Sequence, residues 1–244
     1  MSKGCGFLLS VVMLSLSASA LEADQAPSTL KPLEGSSVYV APVWEFLNSK
    51  WGNDTNQNGS LWGGSAGYSY IERDSVFFNA EFSYMAGMLK GSAGNDPTQE
   101  YITEIKLGYD LSSPFGEHFS VTPFVGMGSY IFNQSLSGDL QFKSHFWYVP
   151  IGVALSYRIN QHWNLAFVGS GSPTFSGRWK VLHTQDAPTT ALWRAELPIT
   201  YLGGSSFEMS IVPFVKGWSY CKTSELTEQN NTYYGLKLAC GYRF

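Results

Sequence analysis

After its first twenty positions the sequence has no run of 18 or more consecutive apolar residues, which excludes helical membrane spans from that region. Strand-type spans stay open, because their hydrophobicity is hidden in alternation. Charge is also scarce: Asp, Glu, Lys and Arg make up 14% of the chain while aromatics make up 16%, an unusual balance for a soluble enzyme. Bases are the scarcer sign, with 15 Lys+Arg against 19 Asp+Glu, so nucleic acid is not an expected partner, since phosphate binding needs concentrated Lys and Arg. Four scattered His and the separated Cys221 and Cys240 make no metal-ligand set, and neither a metal nor a cofactor is expected. With Cys240 placed opposite about Val212 in a terminal hairpin, the two sulfurs stand ~30 Å apart, too far for a disulfide.

The opening "MSKGCGFLLSVVMLSLSASALEA" carries Lys3, an apolar stretch from Phe7 to Leu16 and small residues at Ala18, Ser19 and Ala20. That is the layout of a secretory signal peptide over residues 1–20, and the stretch is too short to span a bilayer. Its removal takes Lys3 away and leaves 14 bases against 19 acids, a net charge of −5. Residues 21–36 form a polar, Pro-containing lead-in without periodicity, expected to be flexible and periplasmic.

From residue 37 to 244 the chain reads as one domain with period-2 alternation in ten segments, the signature of strands whose two faces meet different surroundings. One face is apolar, as in Val38, Val40, Trp44 and Phe46, or in Tyr234, Leu236, Leu238, Cys240, Tyr242 and Phe244. The other carries Glu45, Glu81, Glu104, Lys106, Asp110, Arg158, Arg194, Glu196, Glu208, Lys216, Lys237 and Arg243, among many Gly and Ser residues. No charge falls on the apolar face of any predicted strand. Links alternate between short (Glu72–Ser75, Ser112–His118, Asn160–His162, Gly203–Ser206) and long (Asn48–Gly59, Lys90–Gln99, Asn133–Ser144, Ser176–Thr190, Cys221–Asn231). Ten strands with alternating links predict an all-β, antiparallel up-and-down barrel with both chain ends on the short-turn side. Pro42, Pro123, Pro150, Pro198 and Pro213 fall inside these strands, where bulges or breaks are expected.

Either an inward or an outward apolar face would give this pattern, and the aromatics choose between them. Trp44, Trp62, Trp147 and Trp193 lie toward the long-loop rim, with Tyr70, Tyr109, Tyr157, Trp163 and Tyr201 toward the short-turn rim and aliphatics between, as in two girdles around a hydrocarbon band. The opposite face, rich in small residues and balanced at six acids and six bases, suits a narrow lumen. The charges should pair there, for example Glu104 and Lys106 with Arg194 and Glu196, while Tyr130, Phe146, Tyr148 and Trp218 obstruct the interior.

The terminal alternation ending in Tyr242 and Phe244 resembles the C-terminal signature of bacterial outer-membrane β-barrel proteins, and "VTPFVGMGSY" and "HFWYVPIGVALSYRINQHWNLAF" resemble strands of the small barrels of the OmpA and opacity-protein type. The resemblance implies the outer membrane as location, its lipid and lipopolysaccharide as surroundings, and recognition of Phe244 by the barrel assembly machinery. It also implies function in the surface loops, as a structural or surface-interaction protein with a possible extracellular or host ligand. The alternatives are a small-solute porin-like channel and an outer-membrane hydrolase. Omptin-type proteases use ten strands with a carboxylate–histidine pair at the outer rim, for which Asp139, His145, His183 and Asp186 are the candidates, but no Asp-x-Asp or Asp-x-His faces the lumen. A lipid-A deacylase would need Ser and His on the lipid-facing outer half, whereas His118 and Ser120 sit at the short-turn end. Non-enzymatic function is the expectation.

Overall fold

The computed structural model describes residues 35–51, 55–91, 94–116, 118–135, 141–180, 184–186, 190–203, 206–220 and 229–244. Alternation of apolar and polar residues makes strands throughout: β1 (Gly35–Trp51), β2 (Thr55–Ile71), β3 (Val76–Gly91), β4 (Gly94–Tyr109), β5 (Phe119–Ser135), β6 (Gln141–Tyr148), β7 (Ile151–Arg158), β8 (Trp163–Lys180), β9 (Thr184–Asp186), β10 (Thr190–Glu196), β11 (Ile199–Gly203), β12 (Phe207–Tyr220) and β13 (Gln229–Arg243). Each pairs antiparallel with its neighbours, and β13 closes on β1 from Ser37↔Arg243 to Trp51↔Gln229. Backbone bonds between Ser36 and Phe244 in both directions extend that seam to the rim. Joining the last strand to the first closes the ring, the requirement for a sheet that crosses lipid.

These segments make ten passes, as expected, because β6 with β7 and β10 with β11 each form one interrupted pass, and β9 pairs with the distal end of β8 ahead of β10 on the same pass. The interruptions fall at Val149–Pro150 and Leu197–Pro198, and a register shift in the β6–β8 ladder lies beside the first. A proline has no N–H for the ladder, yet its carbonyl still accepts: Gly126 donates to Pro150 at 2.9 Å and Ala166 to Pro198 at 2.8 Å. Pro42, Pro123 and Pro213 stay within their strands, although the β1–β13 register skips Ala41 and Pro42. The barrel begins at Gly35, so the last two residues of the expected lead-in belong to β1.

Two links expected to be long are mostly ladder. Pairing continues from Asn48↔Asn58 to Trp51↔Thr55 in one hairpin, and through Lys90↔Asn95 to Gly91↔Gly94 in the next. Hydrophobic alternation ends where both faces meet polar surroundings, but the backbone bonds do not need it. The hairpins therefore rise beyond the apolar band on the rim opposite the chain ends, called here the distal rim. At the chain-end rim a single 3-10 turn, Ser113–Phe115, sits between β4 and β5. Cys240 stands opposite Met209, not Val212; Cys221 lies outside the described residues.

Burial is inverted relative to a soluble protein. Val40, Trp62 and Phe244 are 63%, 65% and 68% exposed, whereas Glu45 and Glu100 are fully buried. With apolar side chains outward and charges inward, the outward face suits hydrocarbon, and the soluble ligand-binding barrel is excluded. The interior has its own apolar cluster toward the distal rim, including Leu47, Leu61, Met85, Leu89, Phe132 and Phe142.

Candidate functional site

Strand parity aims the lumen-facing residues at one another, and ring position decides which of them meet. In a ring of ten passes, strands five apart face each other across the full width. Three contacts span that width: Glu81 of β3 to Arg194 of β10 at 3.5 Å, Glu100 of β4 to Lys216 of β12, and Tyr130 of β5 to Tyr233 of β13 at 2.7 Å.

Around Arg194 the charges form a closed set. Its guanidinium lies 2.5 Å from Glu196, while Lys237 reaches Glu81 at 3.1 Å and Glu196 at 3.0 Å. Tyr39 donates a further hydrogen bond to Glu81 at 2.9 Å. Two acids and two bases thus satisfy one another, which offsets the desolvation each would otherwise suffer. Lys106 and Glu104 pair separately at 2.5 Å, with Tyr148 donating to Glu104 at 2.9 Å. The expected four-residue group of Glu104, Lys106, Arg194 and Glu196 is therefore two groups, since no ion pair joins them among the described residues; Glu81 and Lys237 complete the second.

Toward the distal rim, Lys216 is held between Glu45, at 3.0 Å, and Glu100, and lies 4.6 Å from the centre of the Tyr233 ring. Tyr130 donates to Glu100 at 2.8 Å and accepts from the Trp218 indole at 3.0 Å. Tyr130, Phe146 and Trp218 pack with ring centroids 5.8–6.3 Å apart, so three of the four aromatics expected to obstruct the lumen meet there as a plug, while Tyr148 bonds Glu104. Glycine on the wall makes room for such rings: a Cβ at Gly128 would lie 2.3 Å from the Tyr148 ring. Above the plug, Gln57, Asp96 and Gln134 form a buried polar layer, with Gln134 donating to Gln57 at 2.7 Å and Gln57 to Asp96 at 2.8 Å.

Near the chain-end rim, Arg243 pairs with Glu208 at 3.0 Å, Asp110 accepts from Ser112 and Thr122, and Arg158 donates to the Asn160 carbonyl. A cavity of about 280 Å³ occupies this half of the lumen, lined by Tyr39, Glu81, Glu196, Lys237 and Arg243 among others.

Glu100, Asp96, Gln57, Gln134 and Tyr39 were not among the expected lumen residues. Glu100 and Asp96 share the parity of Glu104 and Lys106, so continuing β4 backward past Tyr101 would have found them. The outward aromatics stand as follows. Trp44 and Trp62 pair at 6.1 Å, Trp163 and Tyr201 at 5.1 Å, while Tyr109, Trp147, Tyr157 and Trp193 are exposed and Tyr70 is half-buried, donating to Glu72. Tyr242 and Phe244 also point outward.

The candidate catalytic histidines do not converge. His145 lies on the outward face of β6, bonded through Nε2 to Ser129 at 3.0 Å. His118 contacts the Arg158 carbonyl, and His162 that of Leu202. Asp139 and His183 lie outside the described residues, and Asp186 is placed only by its register opposite Arg178. Among the described residues, no three His, Cys, Asp or Glu side chains gather as a metal site.

Among solved structures, the chain is similar to the outer membrane protease OmpT from Escherichia coli at 9% identity and a TM-score of 0.57, covering 91% of this chain and 99% of that one. It is also similar to the translocator domain of autotransporter NalP from Neisseria meningitidis, at 10% identity and a TM-score of 0.48, with 86% and 88% covered. Ail, the attachment invasion locus protein of Yersinia pestis, is 12% identical with a TM-score of 0.34, covering 87% and 100%. At 9% identity the likeness to OmpT is one of fold. No curated protein matches the sequence. The model of a family described as outer membrane protein beta-barrel domain matches residues 7–192. The inverted barrel and that match agree: the chain belongs to the outer membrane protein beta-barrel domain family and is a bacterial outer-membrane protein.

Proposed function

We propose that the protein is a non-conducting outer-membrane scaffold that presents its distal hairpins at the cell surface, with both chain ends on the periplasmic side. The observation that carries this reading is the set of contacts across the full width of the lumen, above all Tyr130 to Tyr233 beside Trp218 and Phe146. A conducting pore needs a continuous water path, and buried rings and satisfied ion pairs fill the section where one would run. The cavity of about 280 Å³ is then a blind pocket on the periplasmic side.

Binding in this reading resides at the distal rim, where β1–β2 and β3–β4 extend as polar hairpins rich in Asn and Gln. Tyr242 and Phe244, outward on the strand that closes the ring, are the residues the reading assigns to the assembly machinery. Against a hydrolase role stands the geometry of His145, which faces away from the lumen and bonds a serine, with no carboxylate on its ring among the described residues. Single-channel recording of the refolded protein in a planar bilayer tests the proposal: silence is expected from folded protein, and large, stable openings would overturn it in favour of a porin-like channel.

A further inference from the structure

The outward face of the barrel changes character at the distal end of β4 to β8, and the register shows how. Lowest lies a row running Thr103↔Ser129↔Trp147↔Ser176; above it Tyr101↔Ile131↔His145↔Arg178; above that Gln99↔Asn133↔Lys143↔Lys180. The register shift beside Tyr148 brings this about: on its distal side Ser176, Arg178 and Lys180 stand opposite outward residues of β6. Just below, Ile105 and Met127 are exposed and apolar. Over three residue pairs the surface passes from aliphatic, through aromatic, to amide and base.

The face also has shape and a sign. A cavity of about 360 Å³ between the β3–β4 and β5–β6 hairpins is lined by Gln99, Asn133, Gln141 and Lys143 with neighbouring residues. His145 is fixed beside it by its bond to Ser129 at 3.0 Å and by the Trp147 ring at 5.5 Å. Lys143 and Arg178 are both exposed on this face, on neighbouring outward rows of the β6–β8 register, so the described side chains give it a positive sign. Lys50 and Lys90 add positive charge elsewhere on the same collar. At the chain-end rim, by contrast, Arg73 pairs with Asp74 at 3.9 Å.

We propose that this face binds a phosphorylated glycolipid of the outer leaflet, with Lys143 and Arg178 on a phosphate and Gln99, Asn133 and Gln141 on the hydroxyls of its sugar. The chemistry is complementary at each level. Guanidinium and ammonium groups suit phosphate oxygens, amides both donate to and accept from hydroxyls, and acyl chains extend down over Ile105 and Met127. A glycerophospholipid would use the bases and the apolar belt but leave the amide cleft empty. Physiologically the inference rests on the proposed orientation, in which the distal rim meets the outer leaflet. Binding in detergent is independent of orientation, so the two readings fail separately.

The test is native mass spectrometry of the full chain folded in neutral detergent, titrated with a diphosphorylated, acylated glucosamine disaccharide. The same lipid without phosphate and phosphatidylglycerol serve as comparisons. Heat-modifiable gel mobility confirms the fold of each variant. Binding of the diphosphorylated lipid is expected to weaken about tenfold or more in Lys143→Gln/Arg178→Gln and less than about twofold in Lys50→Gln/Lys90→Gln. Gln99→Ala/Asn133→Ala should narrow the preference over phosphatidylglycerol. Equal loss in the two charge variants would mean a diffuse basic collar and overturn the site. Equal binding of phosphatidylglycerol by the wild type, or an unchanged preference in the amide variant, would overturn the glycolipid assignment.

Discussion

The phenol oxygens of Tyr130 and Tyr233 meet 2.7 Å apart at the centre of the barrel, although their strands stand on opposite sides of a ten-pass ring. Two tyrosines long enough to touch across the full width set the bore at that level, and Trp218 donating to both leaves no polar end unsatisfied. The plug should therefore respond to loss of volume rather than of a single bond. Tyr130→Phe is expected to stay non-conducting, while Tyr130→Ala/Phe146→Ala/Trp218→Ala should show discrete openings in a planar bilayer. A silent triple variant that is folded by gel mobility would place the barrier elsewhere.

Glu81 holds both Arg194 and Lys237 in a low-exposure part of the lumen. Glu81→Gln leaves excess positive charge there, and removing one partner of a buried ion pair costs about 3–5 kcal/mol. The Arg243–Glu208 pair is nearer the rim and more exposed, so Glu208→Gln should cost about 1 kcal/mol or less. Urea unfolding in lipid vesicles, followed by tryptophan fluorescence, ranks the two, and equal losses would contradict a central network.

Charge placement shows how much was legible in the sequence. Lumen residues such as Glu81 and Lys237 declared themselves because each alternates with residues that face lipid, and the ten passes followed from the same period. Pro150 and Pro198 were readable as breaks for want of a ladder N–H. The contact of Glu81 with Arg194 was not readable, since partners across the ring depend on strand stagger and not on sequence spacing. Glu100 and Asp96 were missed for a different reason: β4 continues past the apolar band, where both faces are polar and alternation stops marking a strand. The patch at Lys143 and Arg178 was hidden in the same way, within segments that read as loops.

Met127 lies on the outward face in the aliphatic belt and is 51% exposed. If that face meets hydrocarbon, Met127→Arg should destabilise the barrel by about 2–4 kcal/mol, and the same change at the distal Gln99 by about 1 kcal/mol or less. Denaturant titration in vesicles reads the difference. Equal, small effects would mean that Met127 is not in lipid.

A substitution on the lumen wall tests packing without touching charge. Gly128→Val places a branched side chain where the Tyr148 ring now lies, and Tyr148 is tied to Glu104 by a 2.9 Å bond. Overpacking of this kind costs about 1–3 kcal/mol, and pairing the change with Tyr148→Ala should recover part of it. Absence of any coupling in that double-mutant cycle would show that the ring moves aside freely.

The closing hairpin offers a test of register. Cys240 stands opposite Met209, and both are outward. Directly opposed residues of an antiparallel pair have Cα atoms about 4.5–5.5 Å apart, within the range a disulfide spans. In a Cys221→Ser background, Met209→Cys should therefore crosslink to Cys240 on oxidation and migrate differently on a non-reducing gel. Val212→Cys should not, because Val212 stands opposite Lys237 and both are buried on the lumen side. A crosslink at position 212 with none at 209 would mean that β12 and β13 are out of register by three residues. Every lumen partner of Lys216 and Lys237 would then have to be reassigned, since an odd shift exchanges the two faces of a strand.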